Sequence, residues 1–202
     1  MSIELGTQIH QRSHRAGFSL IELMVAITVL AILAAIALPN FRSMIRRNGV
    51  STQVNAMYSD LQYARSEAIT TRSFVSLCPR STTAVAGEKA CGGASNQFDR
   101  GWLAYASSTS GADYDTGKPQ SLLQLRESAP NVSVRSSANG VLTLNSRGEV
   151  VGGVSREFMV CAKATAGTGA GESTRSVPGK RVVITASGRV SAADIAVAGS
   201  CG

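Results

Sequence analysis

The stretch Gly17–Phe41, GFSLIELMVAITVLAILAAIALPNF, limits what this chain can be more than any other part of it. From Phe18 to Leu38 it runs 21 residues with a single charge, Glu22. At about 1.5 Å of rise per residue that is roughly 30 Å of helix, enough to cross the hydrocarbon core of a bilayer. Three readings are open. The stretch is a plain membrane anchor. Or it is the apolar part of a secretory signal, for which Ala35-Ile36-Ala37 offers a small-x-small cleavage site. Or it is cut at its front edge, between Gly17 and Phe18, and kept as the start of the mature chain. Glu22 separates the three, because a carboxylate inside an apolar helix is expensive in lipid and needs a partner. A simple anchor or signal has no use for it.

The order glycine, aromatic, three uncharged residues, glutamate, then apolar residues up to Pro39 resembles the type IV pilin signature. The resemblance implies cleavage after Gly17 by a prepilin peptidase and methylation of the new amine on Phe18. Glu22 is then the fifth residue of the mature chain. In that family it pairs with the N-terminal ammonium of a neighbouring subunit, which supplies the counter-charge.

Composition fits an exported, β-rich domain behind this segment. Only 16% of the 202 residues are charged, and glycine numbers 20. The full chain carries a formal charge of +7. Arg12, Arg15 and Glu4 lie in residues 1–17, so cleavage would take the 20 basic and 13 acidic residues to 18 and 12. The remaining excess is compatible with polyanions without requiring one. Both histidines, His10 and His14, lie in the same leader. A mature chain without histidine has no base for serine or cysteine catalysis of the triad kind and lacks the commonest zinc ligand. We therefore expect no enzyme, no cofactor and no metal.

The cysteines are Cys78, Cys91, Cys161 and Cys201, with no C-x-x-C pair. An even number in an exported domain favours two disulfides. Three pairings are possible. Cys78–Cys91 with Cys161–Cys201 is favoured, since the first closes a short loop and the second ties down the C-terminus.

Past Asn40 the helical pattern continues but becomes amphipathic. Val54, Met57, Tyr58, Leu61, Ala64 and Ala68 recur at three- and four-residue steps. The helix is expected to run to about Thr71, loosened at Pro39 and weakened at Gly49. Beyond it the pattern changes to short β-branched and aromatic runs. Strands are expected at Ser73–Cys78, Gly101–Ala106, Ser121–Arg126, Val132–Arg135, Val141–Asn145, Glu157–Ala162 and Lys180–Ala186. Lys163–Gly179 is nearly all small residues and reads as a mobile loop. The expected organisation is a leader at 1–17, a membrane and assembly segment at 18–39, an amphipathic helix at 40–72 and a β-rich periplasmic domain at 73–202. The fold class is α+β.

Four constellations have ordinary readings. Tyr63 to Ala68, around Arg65 and Glu67, reads as a helix end docked on the sheet. Trp102 reads as a core aromatic rather than a stacking platform for a nucleobase. Asp113 and Asp115 read as a solvated turn, since a calcium loop needs further ligands at set spacings. The basic C-terminal run Lys180 to Arg189 reads as a solvated hairpin, with Gly188 making the tight turn and Arg189 at its tip.

The helix end Leu61–Ile69, LQYARSEAI, and the runs Val75–Cys78, Gly101–Leu103, Phe158–Cys161, Arg181–Ile184 and Ser187–Val190 resemble the FimT/GspH family of minor pilins and pseudopilins. The likeness covers nearly all of 15–190. It implies a pilin-like fold: a long N-terminal helix on an antiparallel sheet domain. It implies a single-pass protein of the bacterial inner membrane that enters a type IV pilus, or the pseudopilus of a type II secretion system. Its partners would be prepilin peptidase and other major and minor pilins or pseudopilins. Some FimT proteins of naturally transformable bacteria bind double-stranded DNA through a C-terminal Gly-Arg-x-Arg motif. Here it reads Gly188-Arg189-Val190-Ser191, with serine in place of the second arginine. Lys180, Arg181, Gly188 and Arg189 are the candidate DNA contacts on that resemblance.

Overall fold

The structure, a computed structural model, describes residues 18–81, 89–127, 129–163, 169–199 and 201–202. The expected leader, 1–17, lies outside them. The chain divides into two compact units, Met1–Asn40 and Phe41–Gly202. One helix, α1 (Leu20–Thr71), contributes to both and is unbroken at Pro39 and at Gly49.

In the first unit α1 begins on a cap. The Ser19 hydroxyl accepts the Glu22 N–H at 3.2 Å and the Ser19 carbonyl accepts that of Leu23 at 3.1 Å. Serine at the cap with glutamate three residues on is the spacing of a capping box, and an acid in the first turn suits the positive end of the helix dipole. Every large apolar side chain from Phe18, 81% exposed, to Leu38, 55% exposed, stands bare. Polar groups turn back onto the helix: Thr28 Oγ1 donates to the Met24 carbonyl at 2.6 Å and Asn40 Nδ2 to that of Ile36 at 3.3 Å. Such a surface is costly in water and stable in lipid or against other helices.

In the second unit α1 buries one stripe: Val50, Val54, Met57, Leu61, Ala64 and Ala68, each at most 4% exposed. Tyr58, expected in this stripe, is 38% exposed. It follows Met57 by one residue, about 100° round the helix, and so falls off the buried face. Gly49 also has a packing use, since a Cβ there would come within 3.3 Å of Val132.

The β-elements are β1 (Phe74–Pro79), β2 (Trp102–Ser107), β3 (Ser121–Arg126), β4 (Val132–Ser136), β5 (Leu142–Leu144), β6 (Arg156–Ala162), β7 (Lys180–Ile184) and β8 (Val190–Asp194). They form two four-stranded antiparallel sheets, ordered β3-β2-β1-β5 and β4-β6-β7-β8. The α1 stripe shares a single core with Val75, Leu77 and Trp102 of the first sheet and Val134, Phe158, Val160 and Ile184 of the second. Phe98 and Phe158 meet edge to face within it, their centroids 5.2 Å apart. A smaller cluster of Cys78, Leu103 and Tyr105 covers the other face of the first sheet. Alternation along β1 and β2 thus sends side chains into two apolar layers, and both strands are nearly continuous runs of buried residues.

The fold is the expected α+β one, with two differences of detail. The strands make two sheets rather than one, and β8 is an additional strand. Its sequence, VSAAD, lacks the usual strand composition, and four of its five residues are exposed on the sheet edge. The second difference concerns Lys163–Gly179. Its described part, 169–179, is pinned rather than loose. Gly171 N–H donates to Ser133 Oγ at 2.7 Å, Ser173 and Val177 are buried, and Gly179 lies where a Cβ would strike Cys161 Sγ. Disulfides join Cys78 to Cys91 and Cys161 to Cys201, with Cα atoms 5.6 and 6.2 Å apart.

Candidate functional site

Two places carry the sequence-derived candidates. At the front of α1, Phe18 is exposed and Glu22 sits in the first turn, while Gly17 lies outside the described residues. Among the described residues no ion pair engages the Glu22 carboxylate, while the Glu22 backbone N–H donates to Ser19.

The second place is the β7–β8 hairpin. Its turn runs Thr185 to Arg189. The Gly188 N–H donates to the Thr185 carbonyl at 2.8 Å, and the Thr185 N–H to the Arg189 carbonyl at 3.0 Å. Gly188 has φ +77°, the left-handed region that glycine tolerates. Ala186 and Ser187 therefore form the tip. Arg189, expected at the tip, instead closes the turn, with its side chain exposed. Gly188 is also required by contact, because a Cβ there would lie 1.8 Å from the Gly148 carbonyl oxygen and 3.1 Å from Arg65 Nε. Gly148, at φ +74°, crowds the same arginine.

Two glycine turns and the Arg65 side chain thus stack at the end of α1. Arg65 Nε is buried with no hydrogen-bond partner among the described residues. Beside it the 145–149 turn is self-paired. Arg147 Nε donates to Glu149 Oε2 at 2.8 Å and Asn145 Nδ2 to the same oxygen at 3.0 Å. These bonds, Asn145 first, hold the Glu149 carboxyl below its usual range. An open cleft of about 720 Å³ is lined there by Phe74, Asn145, Arg147, Val151 and Ser187.

The other basic candidates lie elsewhere. Lys180 is at the opposite end of β7 from the turn, four residues or about 13 Å from Ile184 along the strand. Its Nζ pairs with Asp194 at 2.8 Å, and Arg181 lies 3.6 Å from Glu157. The four candidates do not form one patch. The structure instead packs Gly188, next to Arg189 in the chain, against Arg65 and the Gly148 turn. The sequence signal for Arg65 was its place in LQYARSEAI, which reads just as well as a docked helix end.

Trp102 is fully buried, and its Nε1 donates to Asp60 Oδ2 at 2.7 Å, so its face is closed to a base. Asp60 also receives Arg126 through Nε at 3.1 Å and NH2 at 2.8 Å. The Gln124 amide, correctly oriented, donates to Asp60 Oδ1 at 2.9 Å. Hydrogen bonds to Asp60 raise the Arg126 guanidinium above its ordinary pKa. Among the described residues no group of acids, histidines and cysteines has the arrangement of a metal site.

The family model described as type II transport protein GspH matches residues 53–188, and that of the prokaryotic N-terminal methylation motif matches residues 12–38. The chain belongs to the GspH family of minor pilins and pseudopilins. It is a membrane-anchored subunit of pilus or pseudopilus type, with an N-terminal motif of the kind that prepilin peptidase processes. No curated protein matches it. Two crystal structures of the type IV minor pilin FimU of Pseudomonas aeruginosa PAO1 are similar in fold. One is 20% identical, covers 72% of this chain and 88% of that one, and has a TM-score of 0.51. The other is 19% identical, covers 71% and 91%, and has a TM-score of 0.48.

Proposed function

We propose that this chain is a non-enzymatic minor subunit of a type IV pilus, held in the inner membrane by residues 18–39 until it is assembled. Cleavage falls between Gly17 and Phe18, and Glu22 docks on the N-terminal ammonium of a neighbouring subunit. The carrying observation is the bare apolar helix with one carboxylate in its first turn. A lone carboxylate at that depth is stable only against a cation, and a protein amine beside it in a helical bundle supplies one. Placement in a pilus rather than a secretion pseudopilus rests on the likeness of Gly188-Arg189 to the first half of the Gly-Arg-x-Arg motif of FimT proteins. The test is Glu22→Ala in the native host. The variant should be processed and remain in the membrane but be missing from sheared pili. Normal incorporation would refute the docking role, and a deletion that stops secretion while sparing pili would reassign the machine.

A second reading, double-stranded DNA as a ligand of the hairpin, is favoured by one observation. Arg189, exposed in the turn, and Arg65, packed against Gly188, have no carboxylate partner among the described residues. Phosphate contacts of this kind are indifferent to sequence and weaken with salt. Arg189→Ala should lower affinity for any short duplex and reduce the salt slope by about one unit. Unchanged binding would remove the hairpin as the site.

A further inference from the structure

Between the bare apolar helix and the buried stripe of the second unit lies a short segment, Phe41–Arg47, that belongs to neither. Phe41, Met44 and Ile45 are 60%, 59% and 55% exposed, whereas Val50 is 1% exposed. At about 100° per residue these three share one arc of roughly 100°, and Arg42, Arg46 and Arg47 occupy the opposite side. We propose that this segment is an interfacial collar in which Arg42, Arg46 and Arg47 bind the phosphates of anionic phospholipid headgroups. The proposal rests on the reading that residues 18–38 span a membrane.

Two of the arginines are held by contacts that do not neutralise them. Arg46 NH2 donates to the Lys163 carbonyl at 3.1 Å, and Arg47 Nε donates to that of Ser176. Arg46 Nε is buried with no partner among the described residues. Among the described residues none of the three forms an ion pair with a carboxylate. Arginine is the side chain suited to this use, since its planar fork meets two phosphate oxygens at once.

Position selects lipid over another polyanion. Arg42 comes four residues after Leu38 and Arg47 nine, about 6 to 14 Å of helical rise. The headgroup layer begins where the roughly 30 Å apolar core ends, and helical side chains lean toward the N-terminus, here toward the bilayer. Apolar residues interleaved with arginines suit this boundary, with the stems in the acyl edge and the guanidiniums among the phosphates.

The test uses the mature full chain reconstituted in vesicles of phosphatidylcholine with and without phosphatidylglycerol. Alkaline carbonate extraction reports whether the chain is integral. Spin-labelled lipids of the two kinds then report which is enriched at the protein. The expected result is a chain that resists extraction and enriches phosphatidylglycerol by about two-fold or more at low salt. That preference should disappear in Arg42→Gln/Arg46→Gln/Arg47→Gln and fall partway in Arg42→Gln, whose side chain makes no hydrogen bond or ion pair among the described residues. Near-ultraviolet circular dichroism confirms that the domain stays folded. Resistance to extraction with no lipid preference, or with a preference untouched by both variants, would overturn the collar and leave the span standing. Release by carbonate would overturn the span and the collar with it.

Discussion

Asp60→Ala should strongly destabilise the second unit. The Asp60 side chain is 2% exposed and lies between α1 and the edge of the first sheet. It accepts from Trp102 Nε1 at 2.7 Å and from Arg126 twice, at 3.1 and 2.8 Å. Removing it strands the indole N–H in the core, which costs about 1–3 kcal/mol. Breaking a buried ion pair by deleting one partner costs about 3–5 kcal/mol. The Arg126 side chain is 35% exposed and can turn to water, so only part of that second figure applies. A total of about 3 kcal/mol is expected, or a fall in Tm of about 6–12 °C for a domain of this size. The assay is thermal and denaturant unfolding of a soluble fragment beginning at Phe41, with Arg126→Ala and the double variant completing a cycle. The coupling between the two sites should be about 1–3 kcal/mol. A loss below about 0.5 kcal/mol for Asp60→Ala would show that the network contributes no more than an ordinary surface residue, and the reasoning would fail.

Gly188→Ala should cost more than about 3 kcal/mol, because it adds a Cβ 1.8 Å from the Gly148 carbonyl oxygen to the strain of φ +77°. Gly152→Ala, at φ +90° with nothing within 4 Å, should cost only about 1–2 kcal/mol; equal losses would remove the packing argument. Burial, and secondarily the negative Asp113, hold the Tyr105 phenol above its ordinary value. The folded state then keeps a proton that the unfolded chain releases, so this contribution is intact below about pH 10 and is lost as pH rises beyond it. Unfolding across alkaline pH should show the loss in the wild type and a smaller one in Tyr105→Phe; identical curves would contradict it. Cys161→Ser should cost about 2–4 kcal/mol by freeing the last strand and the C-terminus, and non-reducing peptide mapping of the wild type should join Cys161 to Cys201.

Periodicity made much of this fold legible. The steps from Val54 to Ala68 locate the buried face of α1, because a helix repeats its environment every three to four residues. Tyr58 entered that list on its apolar ring alone and sits one residue off the stripe. The strands from β1 to β7 announced themselves by β-branched and aromatic runs. Strand β8 did not, since Val190–Asp194 owes its conformation to pairing with β7 rather than to its own residues. The loop at 169–179 looked mobile because it is built of small residues. Those residues are small because Gly171 and Gly179 pass against Cys161. The hairpin was the least legible part. Alternation shows that Lys180 and Arg181 face opposite ways, but sequence alone carried no sign of their carboxylate partners, Asp194 and Glu157. Nor did it show that Gly188 would pack against Arg65, more than a hundred residues earlier. Asp60 was not legible, because a lone aspartate in a helix reads as solvated and its partners, Trp102 and Arg126, are distant in sequence.

The central claim is that the apolar segment is cut at its front edge and retained. Intact-mass and N-terminal analysis of the protein purified from native membranes tests it most directly. The account predicts a chain beginning at Phe18, carrying one added methyl on its amine, with residues 18–38 still attached. A chain beginning at Leu38, after Ala35-Ile36-Ala37, would make the segment an ordinary secretory signal and would contradict the account.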